Sequence, residues 1–367
     1  MSCRNLKIAV YGAGAMGTVL GALLTKGGLE NVDLITRNKT HVEGLRRNGA
    51  TVVCEADGKE ICVPVNALYP EEISCRYDLV FLMTKQKNNG EILKKLLPFL
   101  ADDGVVCTTQ NGLPESGVAA IVGAARTYGA ATSFGANFIG GGKVALTSKL
   151  SAMRMEVGGF ENDDEKTQRI LETLSFAGKA IGKTDFAVKA ENLSGARWSK
   201  LTINAAFSGL SVLTGLTFGE VARRRKTRRL ALAIMRECIA VANARGIALS
   251  SSHGYDMQKF LDKKSRIKRL VAYLVLPFTI KKHKKLRSGM LLDLQNGRKC
   301  EIDYINGAVV NEGKKARVKT PLCAQVVEIV HGIENGLYEI DYRNADFFEI
   351  KKDSRLTSRL FYDKMNT

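Results

Sequence analysis

The sequence predicts an α/β domain built on a mainly parallel sheet, followed by a mainly α-helical second domain. Three observations lead there. Strand-like and helix-like segments alternate through the first half of the chain. The first strand-like run leads straight into a glycine-rich turn that opens a helix. Beyond about Lys183, strand signals fade and apolar residues recur at helical spacing.

The elements follow in order. Leu6–Tyr11 is an apolar run that reads as the first strand, and Ala15–Lys26 as the helix after it. Val32–Arg37 reads as the second strand. Between Ala50 and Leu68 apolar and polar residues alternate about Asp57-Gly58, which predicts a hairpin insertion. Tyr77–Thr84 is a buried strand, Glu91–Leu100 a helix and Val105–Thr109 a further strand. Ser133–Gly159 adds β-structure interrupted at Gly140-Gly141-Gly142, and a helix covers about Asp164–Ala177. In the second half Arg197–Leu213, Glu220–Gly246 and Glu301–Ala316 show the 3.6-residue pattern. With 367 residues the chain accommodates two domains of ~100–200 residues each. We place them at 1–185 and 186–345, with a charged tail at 346–367.

Composition narrows the class. Hydrophobic residues make up 45% and charged residues 25%, enough apolar surface for a sizeable core. No apolar stretch approaches the ~18 residues of a membrane span, since Leu270–Ile280 is short and contains Pro277. No secretory signal precedes the first strand, so a cytoplasmic location is expected. The eight cysteines (Cys3, Cys54, Cys62, Cys75, Cys107, Cys238, Cys300 and Cys323) are scattered, with no C-x-x-C pair. That spacing predicts reduced, mostly buried thiols and no metal centre.

The net charge of +18 is local. Residues 1–190 hold 22 Lys/Arg against 20 Asp/Glu, whereas 191–367 hold 33 against 17. Two segments, 223–229 and 259–287, account for the excess: six basic residues without an acid, and eleven against Asp262 alone. No nucleic-acid module accompanies them, so no nucleic-acid partner is expected.

The turn after the first strand reads Gly12-Ala13-Gly14-Ala15-Met16-Gly17, a G-x-G-x-x-G opening a helix. Gly12 makes the tight turn, Gly14 admits a pyrophosphate against the backbone, and Gly17 lets helix and strand pack closely. The helix N-terminus offers unpaired N–H groups to the phosphates. This predicts a Rossmann-type dinucleotide-binding domain. At the end of the second strand the chain reads Thr36-Arg37-Asn38-Lys39, without the carboxylate that would accept from a ribose 2′-hydroxyl. Arg37 suits a 2′-phosphate, so NADPH is the expected cofactor.

In Arg197-Trp198-Ser199-Lys200-Leu201-Thr202-Ile203-Asn204, continuing to Ser208, the residues Lys200, Asn204 and Ser208 stand at i, i+4 and i+8. On a helix they share one face, which must meet water, a partner or a ligand.

Taken together, the glycine turn, Thr84-Lys85, Gln110-Asn111-Gly112, Trp198-x-Lys200-Leu201-x-x-Asn204 and Glu301-Ile302-Asp303-Tyr304-Ile305-Asn306-Gly307 resemble the ketopantoate reductase family. The resemblance runs over about residues 5–335. It implies an NADPH-dependent reductase of a small 2-oxo acid, with 2-dehydropantoate going to pantoate in pantothenate biosynthesis. It further implies Lys200 as general acid and Glu301 as the carboxylate near the ribose and the substrate hydroxyl. Asn111 is similar to the residue that touches both nicotinamide ribose and substrate, and Lys85 and Gly135 to cofactor contacts. Asn204 would bind substrate.

Two positions depart from the family pattern. Ser208 stands where a second Asn is usual, and Gly289 where a Ser precedes the Met of the S-M-L-x-D segment. Ser288, one position earlier, is the replacement hydroxyl we expect on the substrate. The basic stretch 259–287 exceeds what the resemblance needs. Its apolar centre, Leu270–Phe278, fits an ordinary buried helix, a peripheral membrane contact or a subunit contact such as a homodimer interface. The competing function is a non-catalytic NADP(H)-binding sensor or scaffold acting through that insertion.

Overall fold

The computed structural model describes residues 3–161, 164–250, 261 and 266–349. The expected tail from 350 onward, and residues 259, 260 and 262–265 of the basic stretch, lie outside the described residues. The chain clusters into two compact units. Among the described residues these are 3–201 with 247–250, and 202–246 with 261 and 266–349.

The first unit is built on strands β1 (Ile8–Tyr11), β2 (Val32–Ile35), β3 (Ala50–Cys54), β4 (Glu60–Val63), β5 (Asn66–Leu68), β6 (Tyr77–Leu82), β7 (Leu100–Thr108), β8 (Thr127–Thr132), β9 (Ala136–Gly140), β10 (Lys143–Leu146), β11 (Met155–Gly159) and β12 (Ala187–Lys189). Eight of them form one sheet in the order β12-β11-β8-β7-β6-β1-β2-β5. All neighbours are parallel except β8 and β11. Ile8, Ala9, Val10 and Tyr11 are all buried, as an apolar run covered on both faces should be. Strand order reverses at β1, with β2 on one side and β6 on the other, which opens a crevice at the carboxyl ends of the strands.

The hairpin expected around Asp57-Gly58 is present as antiparallel β3 and β4, with Gly58 at φ +70° in the turn. Its β3 pairs in parallel with β10, and β9 completes a separate four-stranded sheet. The second strand ends two residues earlier than expected. Asn38 there caps the helix Lys39–Asn48 by accepting from His41 N at 3.1 Å.

The first unit runs on to Leu201. The reason is β12: it pairs in parallel with β11 and adds an edge to the sheet beyond 185. The helix Leu193–Ile203 then follows.

The second unit is helical. The Glu220–Gly246 stretch, expected as one helix, is two, Phe218–Arg223 and Arg225–Ala244, broken where Arg224 adopts an extended ψ of 130°. Thr217 and Glu220 start the first of them with a reciprocal capping box. Arg225–Ala244 packs on Ile302–Lys315 and Pro321–Glu334. The Glu237 carboxylate accepts from Leu322 N and Cys323 N, both at 2.9 Å, and so caps the last of these helices. Among the described residues no helix is long and apolar enough to cross a membrane. All eight cysteines are free; five are buried, and Cys62 is exposed.

Candidate active site

The glycine turn behaves as its spacing demands. Gly12 N and Ala13 N both donate to Ile35 O at 2.9 Å, tying the turn to the end of β2. Gly12 has φ +105°, and a Cβ there would stand 2.6 Å from Thr84 N. A Cβ on Gly17 would stand 2.4 Å from Gly12 O. Gly14 differs: a Cβ there meets nothing within 4 Å. Gly14 is also the N-cap of Ala15–Lys26 and gives it no side-chain cap, and the first-turn N–H groups, at the positive end of the helix dipole, have no partner within the helix. This is a cradle that fits a pyrophosphate. Arg37 is exposed two residues past β2, beside this turn.

The other first-unit candidates line up along the same carboxyl edge. Lys85 follows β6 and Asn111 follows β7. Gln110 locks these loops together. Its amide donates to Thr84 O at 2.7 Å and to Asn89 Oδ1 at 2.6 Å, and its Oε1 accepts from Thr108 Oγ1 at 3.0 Å. Gln86 Nε2 donates to the Asn111 carbonyl, which leaves the Asn111 side chain exposed. Gly135, past β8, is pinned by its N–H to Ser148 Oγ at 3.1 Å and by its carbonyl accepting from Thr147 Oγ1 at 2.9 Å.

Lys200 belongs to this edge. Its Nζ donates to Thr132 Oγ1, at the end of β8, at 3.0 Å. Loss of hydration and then the nearby Arg197 charge push its pKa down to about 7. Arg197 anchors the helix to the sheet: its guanidinium donates to Glu115 Oε1 at 2.6 Å, Thr108 O at 2.7 Å and Gln110 O at 2.9 Å. Sequence reading did not single out Thr132, Glu115 or Arg197. The one local signal was an Arg among apolar helix residues just before Lys200.

In the second unit, Asn204–Ser208 forms a π-turn, a form concentrated at functional sites. Asn204 and Ser208, at either end of that turn, are half-buried, and Ala205, Ala206 and Phe207 between them are buried. Asn306 Nδ2 donates to Ala205 O at 3.1 Å, joining the E-I-D-Y-I-N-G helix to the π-turn. Glu301 is the N-cap residue of that helix. Ser288 is buried, and its Oγ accepts from Met290 N at 3.2 Å to cap Gly289–Gln295. Among the described residues no His/Cys/Asp/Glu group could hold a metal.

Residues 8–161 match the family described as Ketopantoate reductase PanE/ApbA, and residues 192–334 match its C-terminal domain. The chain belongs to the ketopantoate reductase family. It is an oxidoreductase of that family, with a Rossmann-type first unit and a helical second one. A 2-dehydropantoate 2-reductase of Archaeoglobus fulgidus is 26% identical over 338 residues, covering 91% of this chain and 100% of the relative. Among solved structures, the 2-dehydropantoate 2-reductase of Geobacter metallireducens aligns with a TM-score of 0.75 at 26% identity, over 89% of this chain and 99% of that one. A D-mandelate dehydrogenase in ternary complex with NADH and anilino(oxo)acetate aligns equally well, at 0.75 and 25% identity over 90% and 99%. A nicotinamide dinucleotide is therefore the cofactor class.

Proposed function

We propose that this chain reduces a small 2-oxo acid to the 2-hydroxy acid with NADPH, with 2-dehydropantoate as substrate and Lys200 as proton donor. The observation that carries the reading is the Lys200 ammonium held by Thr132 on the strand edge that also bears the dinucleotide turn, where loss of hydration pushes its pKa down.

A bound NADPH supplies the hydride that goes to the carbonyl carbon. Lys200 gives a proton to the carbonyl oxygen, leaving the 2-hydroxy acid and a neutral amine that takes up a proton from solvent. A donor with a pKa near the working pH transfers its proton readily, and its charge stabilises the growing alkoxide. Gly12 to Gly17 seat the pyrophosphate and Arg37 grips the 2′-phosphate. Lys85, Asn111, Gly135 and Glu301 contact cofactor. Asn111, Asn204, Ser208 and Ser288 hold the substrate, and Glu301 assists the proton transfer. NADPH is preferred over NADH because the turn after β2 has no carboxylate to repel a phosphate.

The test is the disappearance of reduced nicotinamide with 2-dehydropantoate, NADPH and NADH being run in parallel, for the wild type and Lys200→Ala. The expected result is turnover with NADPH, lost by orders of magnitude in the variant while NADPH still binds. Undiminished turnover in Lys200→Ala would remove Lys200 from the role. Turnover of a different 2-oxo acid alone would replace the substrate and leave the chemistry standing.

A further inference from the structure

The second unit carries a helix whose outward side is apolar. Within Arg266–Thr279, Ile267, Leu270, Val271, Leu274 and Phe278 recur at i, i+3, i+4, i+7 and i+11, and all are exposed, Ile267 by 76% and Phe278 by 75%. Ala272 and Leu276, on the opposite side, are buried, and the helix packs there on Phe218–Arg223 and Arg225–Ala244. The helix is therefore not the ordinary buried one that its composition allowed. A helix apolar all round belongs inside a protein or against an apolar partner, and a continuous apolar stripe on a surface marks a contact site.

Cations frame this stripe. The two basic segments that carry the excess charge, far apart in sequence, meet here. Arg228 stacks its guanidinium 4.5 Å from the centre of the Tyr273 ring. Phe218 N donates to Leu286 O at 2.9 Å and Gly219 N to Lys284 O at 3.1 Å, so Lys281–Arg287 runs beside the start of Phe218–Arg223. Lys268, Lys281, Lys284, Lys285 and Arg287 are exposed, as are Arg223, Arg225 and Arg229.

We propose that this face docks on an anionic lipid surface, with the helix lying in the plane of the interface. Fourteen residues span only ~21 Å, too short to cross a bilayer. Laid flat, the outward stripe enters the acyl boundary while the flanking Lys and Arg meet anionic headgroups. Charge argues against a second copy of the chain as the occupant. Residues 259–287 carry eleven Lys/Arg against one Asp, on both sides of the apolar run. Two-fold pairing of two such helices, parallel or antiparallel, sets cations against cations.

The experiment is co-sedimentation of the full chain with vesicles of phosphatidylcholine alone and of phosphatidylcholine with phosphatidylglycerol. It is run at low and high salt, with sedimentation velocity on the same samples. Wild type should partition to the anionic vesicles at least roughly tenfold better, and release at 1 M salt, where the screening length falls to ~3 Å. Leu274→Glu with Phe278→Glu, both on the solvent side, should abolish binding and leave NADPH-dependent turnover unchanged. A lack of preference for anionic vesicles, or undiminished binding by the double variant, overturns the proposal. So does a variant that fails only to dimerise, which assigns the face to a second copy. Absent vesicle binding with unchanged oligomeric state assigns it to an acidic protein partner and overturns it equally.

Discussion

Arg197 Nε lies 2.6 Å from Glu115 Oε1, and the two side chains are buried together against the end of β7. Carbonyls of Thr108 and Gln110 take further guanidinium protons, so this buried cation is well paired. Three residues later in the chain, the Lys200 ammonium donates to the neutral hydroxyl of Thr132. The same segment thus holds one cation paired with a carboxylate and one hydrogen-bonded to a hydroxyl.

The pH profile follows from that contrast. The folded pKa of Lys200 is depressed to about 7, so the ammonium is present below that pH and lost above it. We predict that kcat/KM falls about tenfold per unit above an apparent pKa near 7. Replacing the pair by Arg197→Met with Glu115→Gln removes the neighbouring cation, and the alkaline limb should move upward. Arg197→Met alone should cost about 3–5 kcal/mol of stability, because Glu115 is left buried and unpaired. A limb that stays put in the double variant would show that burial alone sets the Lys200 pKa.

The glycines separate binding from folding. Gly14→Ala places its methyl in open space, so we predict a Tm within about 2 °C of wild type and a Kd for NADPH raised roughly tenfold, about 1.4 kcal/mol. Gly17→Ala drives its methyl onto Gly12 O and should lose about 1–3 kcal/mol of stability before any ligand is added. Thermal melts with and without NADPH distinguish the two. Equal Tm losses would mean that Gly14 is structural too.

Arg37 bears on cofactor choice. It is exposed and follows β2 at the edge where Ile35 O receives the glycine turn. Arg37→Ala should weaken NADPH by roughly 10–100-fold, the loss of one or two charge-assisted hydrogen bonds, and leave NADH nearly unchanged. Isothermal titration with both cofactors decides it, and equal losses would take Arg37 off the phosphate.

What could be read from the sequence was local. The turn Gly12–Gly17 announces itself because strand, turn and helix are contiguous, and Lys200, Asn204 and Ser208 stand out because they recur at helical spacing. The pairs that hold Lys200 and its neighbour in place are distant: Glu115 with Arg197, and Thr132 with Lys200, meet only when β7 and β8 lie side by side. Periodicity places Leu270 and Leu274 on one face of a helix. Whether that face looks in or out depends on what packs against Leu276, which no single segment encodes. The break at Arg224 was hidden for a similar reason, since the apolar spacing continues across it.

His41 predicts an acid sensitivity separate from catalysis. It is buried, accepts from Gly142 N at Nδ1 (3.1 Å), and reaches Thr18 Oγ1 with Nε2 at 2.9 Å. It thereby links the glycine-turn helix to the second sheet as a neutral ring. Burial pushes its pKa down to about 4, below the unfolded value of about 6.5. The unfolded chain binds the proton first, so the stability contribution is complete above pH 6.5 and is lost as pH falls towards 4. The loss is on the order of 3 kcal/mol at about 1.4 kcal/mol per unit. Urea unfolding at intervals across that window should show the decline, and His41→Gln should flatten it.

Gly289 stands where a Ser is usual in the family, with Ser288 one position before it. Ser288 spends its Oγ on Met290 N as a helix cap, while Gly289, the next residue, is exposed with nothing within 4 Å of a Cβ. Ser288→Ala should therefore lose about 1 kcal/mol of stability from the cap and, if its hydroxyl also meets the substrate, raise KM. Gly289→Ser restores the hydroxyl usual in the family at a position with room for it, one step inside the helix where it cannot replace the cap. The double variant should recover KM for 2-dehydropantoate without recovering Tm. An unrecovered KM would show that position 289 faces away from the substrate, and a KM unmoved by Ser288→Ala would show that Ser288 serves this chain as a cap alone.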